Sequence, residues 1–226
     1  MILSHRHRFI FVRTRKTASS STEIALSSVT GPDDVLTPIM EEHLRPEHGA
    51  KNFVVPWSKR TPYGRFRTAF GSRKAKYLGY HNHITAAEIR ALAGQAVWDG
   101  YFKFAVERNP WDRQVSHYHW ELRKKAEPPS FETFLRTPSL KPQMSNWEIY
   151  TIDDRIAVDR VIAFDRLEAG LAEIADELGI GPLPALGRAK SGTRQKRDYR
   201  DYYTDETRAL VGRWYKREID AFGFTF

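Results

Sequence analysis

Cysteine is absent from the 226-residue chain. That excludes disulfides, thiolate metal centres and a thiol nucleophile, and it fits a reducing compartment. Long apolar runs are missing as well. No stretch of about 18 apolar residues is present to span a bilayer, and residues 1–25 lack the apolar core and small-residue cleavage site of a secretory signal. A soluble, cytoplasmic protein is expected. Acidic residues are missing from one long segment: between Lys51 and Lys76 every charged side chain is basic, in a chain whose formal net charge is +8. An acidic partner is expected to meet that surface, with a merely solvated basic face as the alternative.

Hydrophobic residues make up 41% of the chain and aromatic residues 13%, enough for a sizeable core in one domain. The pattern predicts strands at Phe9–Val12, Tyr101–Val106 and Arg160–Phe164, alternating with helices. A helix is expected from Ser20 to Ser28 with Ile24 and Ala25 inward. Thr85-Ala86-Ala87-Glu88 has the spacing of a capping box and starts a helix over 86–93. Asn109-Pro110 supplies an N-cap and an N1 proline for another, with Trp111, Val115, Tyr118 and Leu122 on its apolar face. Leu167, Leu171, Ile174 and Leu178 mark a helix ending at Gly179. A last helix is expected from Asp205 to Phe222. Between Gly31 and Gly79 periodicity is poor, so a loop-rich basic insertion, facing substrate, is expected there. The order points to an α/β fold with a central, mainly parallel sheet flanked by helices, whose ligands sit at the carboxyl ends of the strands.

Two segments carry chemistry. Lys16-Thr17-Ala18-Ser19-Ser20-Ser21 follows the first of these strands and precedes a helix. Small residues let backbone N–H groups approach an anion, hydroxyls add donors, the helix start favours negative charge, and Lys16 supplies an ammonium. The glycines that precede the lysine in nucleoside-triphosphate loops are missing. The second segment, Arg108 to Ser116, also lies at a strand–helix junction. Arg108 offers a planar fork and Ser116 a further donor to one phosphate, although Arg108 paired with Asp112 is an equally ordinary arrangement.

Together these segments resemble the 5′-phosphosulfate loop and the 3′-phosphate motif of sulfotransferases that use 3′-phosphoadenosine 5′-phosphosulfate (PAPS), with the nearest likeness to the carbohydrate sulfotransferases. Tyr80 to Ile89 is similar to that family's catalytic-histidine segment, Asp159 to Leu167 to its later strand, and Tyr199 to Phe224 to its C-terminal part. The resemblance implies a P-loop-like three-layer domain over residues 1–226. It implies that Lys16, Thr17, Ala18, Ser19, Ser20 and Ser21 hold the 5′-phosphosulfate, and that Arg108 and Ser116 hold the 3′-phosphate. Thr193 and Arg194, in the basic loop Ser191–Arg197, would close over the nucleotide. His83 would be the base, with His81 as the rival, and Lys16 the cation beside the leaving phosphate. His83 just ahead of a helix start is disfavoured as imidazolium. The acceptor would be an acidic carbohydrate or glycolipid.

Sulfuryl transfer needs no metal in principle, and His81-x-His83 has no evident third ligand to form one. Two other readings compete. A nucleic-acid-binding protein without catalysis would use the basic segment and its aromatics, but it leaves the two anion motifs unexplained. A kinase-like enzyme would need a magnesium ligand set and a different glycine pattern. Trp98, Trp111, Trp147 and Trp214 read as core or interface residues, and Trp57 as a core residue that could instead stack on a sugar.

Overall fold

Side chains alternate between two faces along the central strands, and that alternation builds the layers. The computed structural model describes residues 1–45, 49–187 and 197–226. The chain opens with β1 (Ile2–Ser4) and β2 (Phe9–Val12), then α1 (Ser19–Ser27) and β3 (Val35–Leu36). Next come α2 (Pro62–Ala69), α3 (Ala75–Leu78), α4 (Ala86–Ala93) and α5 (Gln95–Gly100), which lead into β4 (Phe102–Glu107). After β4 lie α6 (Pro110–Glu121), α7 (Phe131–Arg136) and α8 (Trp147–Tyr150), the small hairpin β5 (Thr151–Ile152) and β6 (Arg155–Ile156), and β7 (Arg160–Ala163). The rest is α9 (Leu167–Glu177), α10 (Asp205–Trp214) and α11 (Lys216–Phe222).

The main sheet runs in the order β3-β1-β2-β4-β7. β2, β4 and β7 are mutually parallel, with Phe11 opposite Phe104 and Val106 opposite Ile162. β1 pairs antiparallel with both β2 and β3, so the sheet is mixed. Its parallel half carries the crossovers that need helices. Ile10, Val12 and Ala105 face a cluster with Ile89 of α4 and Trp147 and Tyr150 of α8. Phe9, Phe11, Phe104 and Val106 face the other way, against Leu26 of α1 and Leu171 and Ile174 of α9. Helices thus cover both faces of an α/β three-layer fold. α9 lies so close to the sheet that a Cβ on Gly170 would come within 2.6 Å of Ile162. A third cluster joins α6, α7 and α10 through Val115, Phe134 and Val211.

Local signals account for the helix starts. Thr85 accepts from the Glu88 N–H while the Glu88 carboxylate accepts from the Thr85 N–H, completing the capping box of α4. Asn109 caps α6 by accepting from the Trp111 N–H at 3.0 Å. Three expectations need correction. The final helix is two helices, because Tyr215 leaves helical backbone angles at φ −116° to place its hydroxyl between Gln114 and the Met144 N–H. In α1 Ala25 is buried as expected, but Ile24 is only half-buried while Glu23 and Leu26 are fully covered, since a buried ion cluster claims that face. Trp57 is half exposed rather than in the core.

Candidate functional site

β2 delivers the chain into residues 13–18, and α1 receives it. Lys16 (φ 60°) and Ala18 (φ 54°) both sit in the left-handed region, either side of Thr17. Turns of this kind line up successive N–H groups into an anion-binding concavity. Ala18 occupies the N-cap position of α1 with no side-chain cap, so the N–H groups that open the helix, on Ser19 and Ser20, are left for another acceptor. The positive end of the helix dipole points the same way.

The hydroxyls of this loop divide into two sets. Thr14 donates to the Val106 carbonyl at 2.5 Å, and Thr17 donates in turn to Thr14 Oγ1 at 2.8 Å. Ser21 donates to the Gly187 carbonyl at 2.5 Å. Their protons are committed to holding the loop against β4 and the 183–187 segment. Ser20 Oγ accepts from the Arg13 guanidinium at 2.9 Å and keeps its own proton for another partner.

α6 brings in the second anion motif. Arg108, at the end of β4, donates from Nε to Asp112 Oδ2 at 2.7 Å and from Nη1 to the Lys16 carbonyl at 3.1 Å. Its guanidinium also lies 4.3 Å from the centroid of the Phe164 ring. The pairing with Asp112 and the reach to the phosphate-type loop therefore coexist. Two turns along α6, Ser116 opens onto the same space. A cavity of about 800 Å³ is lined by Lys16 through Ser21, Arg108, Ser116, Phe164 through Ala169, Leu186 and Gly187. It lies at the carboxyl ends of β2, β4 and β7, where open α/β sheets place ligands. Arg113, from the same sequence motif, turns away from it into the interior, between Glu107 at 2.6 Å and Glu218 at 3.1 Å.

The Lys16 ammonium lies 4.8 Å from the Trp120 ring centroid, a cation–π contact that holds it toward the face of α6 carrying Ser116. Trp120 follows Ser116 by four residues, a spacing that puts both on one helix face.

His83 is outside the cavity lining but is tied to the loop. Its Nδ1 lies 3.1 Å from the Arg13 carbonyl. A carbonyl only accepts, so Nδ1 carries the proton and Nε2 is left as the acceptor. Burial, followed by the nearby Arg13 and Arg15 charges, holds the His83 imidazolium well below its ordinary pKa of 6.5. The ring is thus neutral at physiological pH. His83 also has φ 58°, a strained backbone for a residue with a Cβ. His81 instead donates from Nδ1 to the Gly79 carbonyl at 3.3 Å.

A buried network stands behind the loop. Asn146 accepts from the Arg15 N–H at 2.8 Å, donates to the Arg15 carbonyl at 3.1 Å, and reaches Glu107 Oε1 at 3.3 Å. Tyr150 donates to Glu107 Oε2 at 3.0 Å. Asn146 carries no sequence signal, because it sits in an aperiodic stretch 131 residues from its partner. Phe164 and Arg166 fall in the segment that resembles the family's later strand, yet only the fold shows them facing the cavity. Thr193 and Arg194 lie outside the described residues. None of the described residues from 31 to 79 lines the cavity, so the basic insertion does not face it. Among the described residues no cluster of three or more His, Asp or Glu side chains could hold a metal, and no helix is long and apolar enough to cross a membrane.

A model of the sulfotransferase family matches residues 1–225. The chain belongs to the sulfotransferase family. An uncharacterised protein of Archaeoglobus fulgidus is 31% identical to this sulfotransferase over 96 residues, covering 41% of this chain and 79% of that one. The crystal structure of a sulfotransferase from Alicyclobacillus acidocaldarius is similar at a TM-score of 0.47 and 16% identity, over 97% of this chain and 96% of that one. Membership supports a transferase that moves sulfuryl groups from a donor to an acceptor.

Proposed function

We propose that this sulfotransferase takes its sulfuryl group from PAPS and places it on a hydroxyl of a carbohydrate or glycolipid by in-line displacement, with His83 as base. The observation that carries the reading is the convergence of the two anion motifs, 92 residues apart, on one cavity through the Arg108–Lys16 bond. PAPS has two anionic ends, and two donor sets meet here. The uncapped start of α1 fits the donor independently of any resemblance, because its N–H groups need acceptors.

The donor, when bound, supplies a sulfuryl group whose leaving group is a phosphate. The N–H groups of Ser19 and Ser20 and the Lys16 ammonium would hold its 5′ end and offset charge growing on that phosphate. Thr17 and Ala18 would take part through the backbone. Arg108 and Ser116 would hold the 3′-phosphate. Neutral His83, with Nε2 unprotonated, would accept the proton of the acceptor hydroxyl. Its bond to the Arg13 carbonyl fixes the tautomer and holds the ring to the loop. The choice of a carbohydrate rests on the sequence resemblance.

The test is thermal unfolding with 3′-phosphoadenosine 5′-phosphate against ADP at matched concentration and ionic strength. At about 100 times its dissociation constant a ligand adds about 2.7 kcal/mol, or roughly 5–10 °C for a chain of this size. A shift with the 3′-phosphorylated nucleotide alone is expected. Equal shifts with both, or none with either, would remove the support for PAPS.

A further inference from the structure

Residues 56–78 leave the body of the protein through a narrow neck. The Val55 N–H donates to the Leu78 carbonyl at 3.0 Å and the Tyr80 N–H to the Phe53 carbonyl at 2.9 Å. Gly79 (φ 154°) closes the neck, where a Cβ would come within 2.5 Å of the Phe53 carbonyl oxygen. Within the excursion, which holds α2 and α3, Gly64 alone is buried. It therefore has almost no core of its own, yet it is rich in large side chains.

Those side chains point outward. Phe70 is 78% exposed, Phe66 57%, Tyr63 58% and Trp57 50%. Among the described residues, every exposed large hydrophobic side chain except Ile156 lies between Met40 and Phe70. Phe66 and Phe70 touch at 4.8 Å between ring centroids, and with Arg67, Gly71 and Ser72 they line a hollow of about 410 Å³. Cations surround them: no acidic residue occurs from Gly49 to Gly79, and Arg65, Arg67, Arg73, Lys74 and Lys76 all lie within the excursion. Folded proteins rarely expose a contiguous apolar group without a partner for it.

We propose that this excursion docks the enzyme onto an anionic phospholipid surface, with Phe66 and Phe70 entering the headgroup–acyl boundary and the surrounding Arg and Lys side chains meeting lipid phosphates. Charge complementarity selects the occupant. A second copy of the chain would bring two all-basic surfaces together and is repelled. A nucleic acid or an acidic glycan satisfies the cations, and Trp57 and Tyr63 could stack on either, but neither offers hydrocarbon to two adjacent phenyl rings that lack any polar handle. A lipid surface takes both parts at once. Each basic side chain near an anionic leaflet raises partition about fivefold. The inference does not rest on the assignment of PAPS, since none of these residues lines the nucleotide-sized cavity.

Co-sedimentation of the full chain with vesicles tests it, using phosphatidylcholine alone and phosphatidylcholine with about one-third phosphatidylglycerol, in 0.15 M salt. Binding to the anionic vesicles and not to the neutral ones is expected. The double variant F66A/F70A should lose at least about tenfold in partition while its melting temperature and its retention on heparin and on poly(U) stay as in the parent. Absence of binding to anionic vesicles, or equal binding by F66A/F70A, overturns the proposal. Loss of heparin or poly(U) retention in that variant to the same degree would assign the surface to a polyanion and overturns it too.

Discussion

Arg108 donates to the Lys16 carbonyl at 3.1 Å, so one guanidinium belongs to both anion motifs. Its remaining fork is held by Asp112, also at 2.7 Å from Nη2. The same guanidinium thus borders the cavity and holds the backbone of the loop.

Replacing it should therefore separate nucleotides by their 3′ end. Arg108→Ala is expected to weaken 3′-phosphoadenosine 5′-phosphate by roughly 1.5–3 kcal/mol, the range for a hydrogen bond to a charged group, and to weaken ADP, which meets only the loop, by less. Isothermal titration with the two nucleotides measures this. Equal losses would place Arg108 in the loop scaffold only.

The hydroxyl bonding predicts a contrast within the loop. Ser20 keeps a proton to donate, whereas Thr17 is committed to Thr14. Ser20→Ala should weaken nucleotide binding with little change in melting temperature. Thr17→Val should lower the melting temperature, at a cost of about 1–3 kcal/mol for the buried Thr14 partner. Reversal of the two effects would show that Thr17 turns to the ligand.

For His83, loss of the side chain is expected to cut transfer by about 10²–10⁴-fold with nucleotide affinity retained. Turnover should be insensitive to pH from 8 down to below 6.5, because burial keeps the imidazolium pKa low. Full turnover in His83→Ala would eliminate it as the base, and attention would pass to His81.

The same group makes stability depend on pH. The unfolded chain binds a proton at His83 near 6.5, the folded one only well below that, so stability is whole above 6.5 and falls as the pH drops beneath it. His81 and His117, both also lowered chiefly by burial, act in the same direction. Melting temperature should decline from pH 7 to pH 5, and less steeply in His83→Gln. An identical slope in that variant would mean that His83 titrates normally in the folded state.

Glu23 supports the loop from beneath. It is fully buried, ion-paired with Arg13 and, at 3.0 Å, with Arg45. Burial lowers the Arg13 pKa to about 10, the Arg45 charge adding to the effect and Glu41 opposing it. Glu23→Gln takes the carboxylate from the buried Met1 ammonium, Arg13 and Arg45 and should cost about 3–5 kcal/mol, read by chemical denaturation. A loss below about 1 kcal/mol would contradict this.

The sequence by itself determined the elements whose signals are local. Two residues three positions apart decide a capping box, a four-residue apolar run decides a buried strand, and an Asn-Pro pair decides a helix start; all of these depend on neighbours close along the chain. Lys16 to Ser21 and Arg108 with Ser116 were legible for the same reason, since each motif is contiguous at a strand–helix junction. Tertiary structure alone decided the rest. β1 and the edge strand β3 are too short to show periodicity and exist only by pairing. The break at Tyr215 follows from partners on α6 and at Met144. Asn146 becomes part of the loop's support because the fold brings it across 131 residues, and the exposure of Phe66 and Phe70 follows from an excursion that closes at its neck before it can form a core. Contacts between distant segments carry no signature along the chain, whereas a backbone's nearest hydrogen-bond and steric choices do.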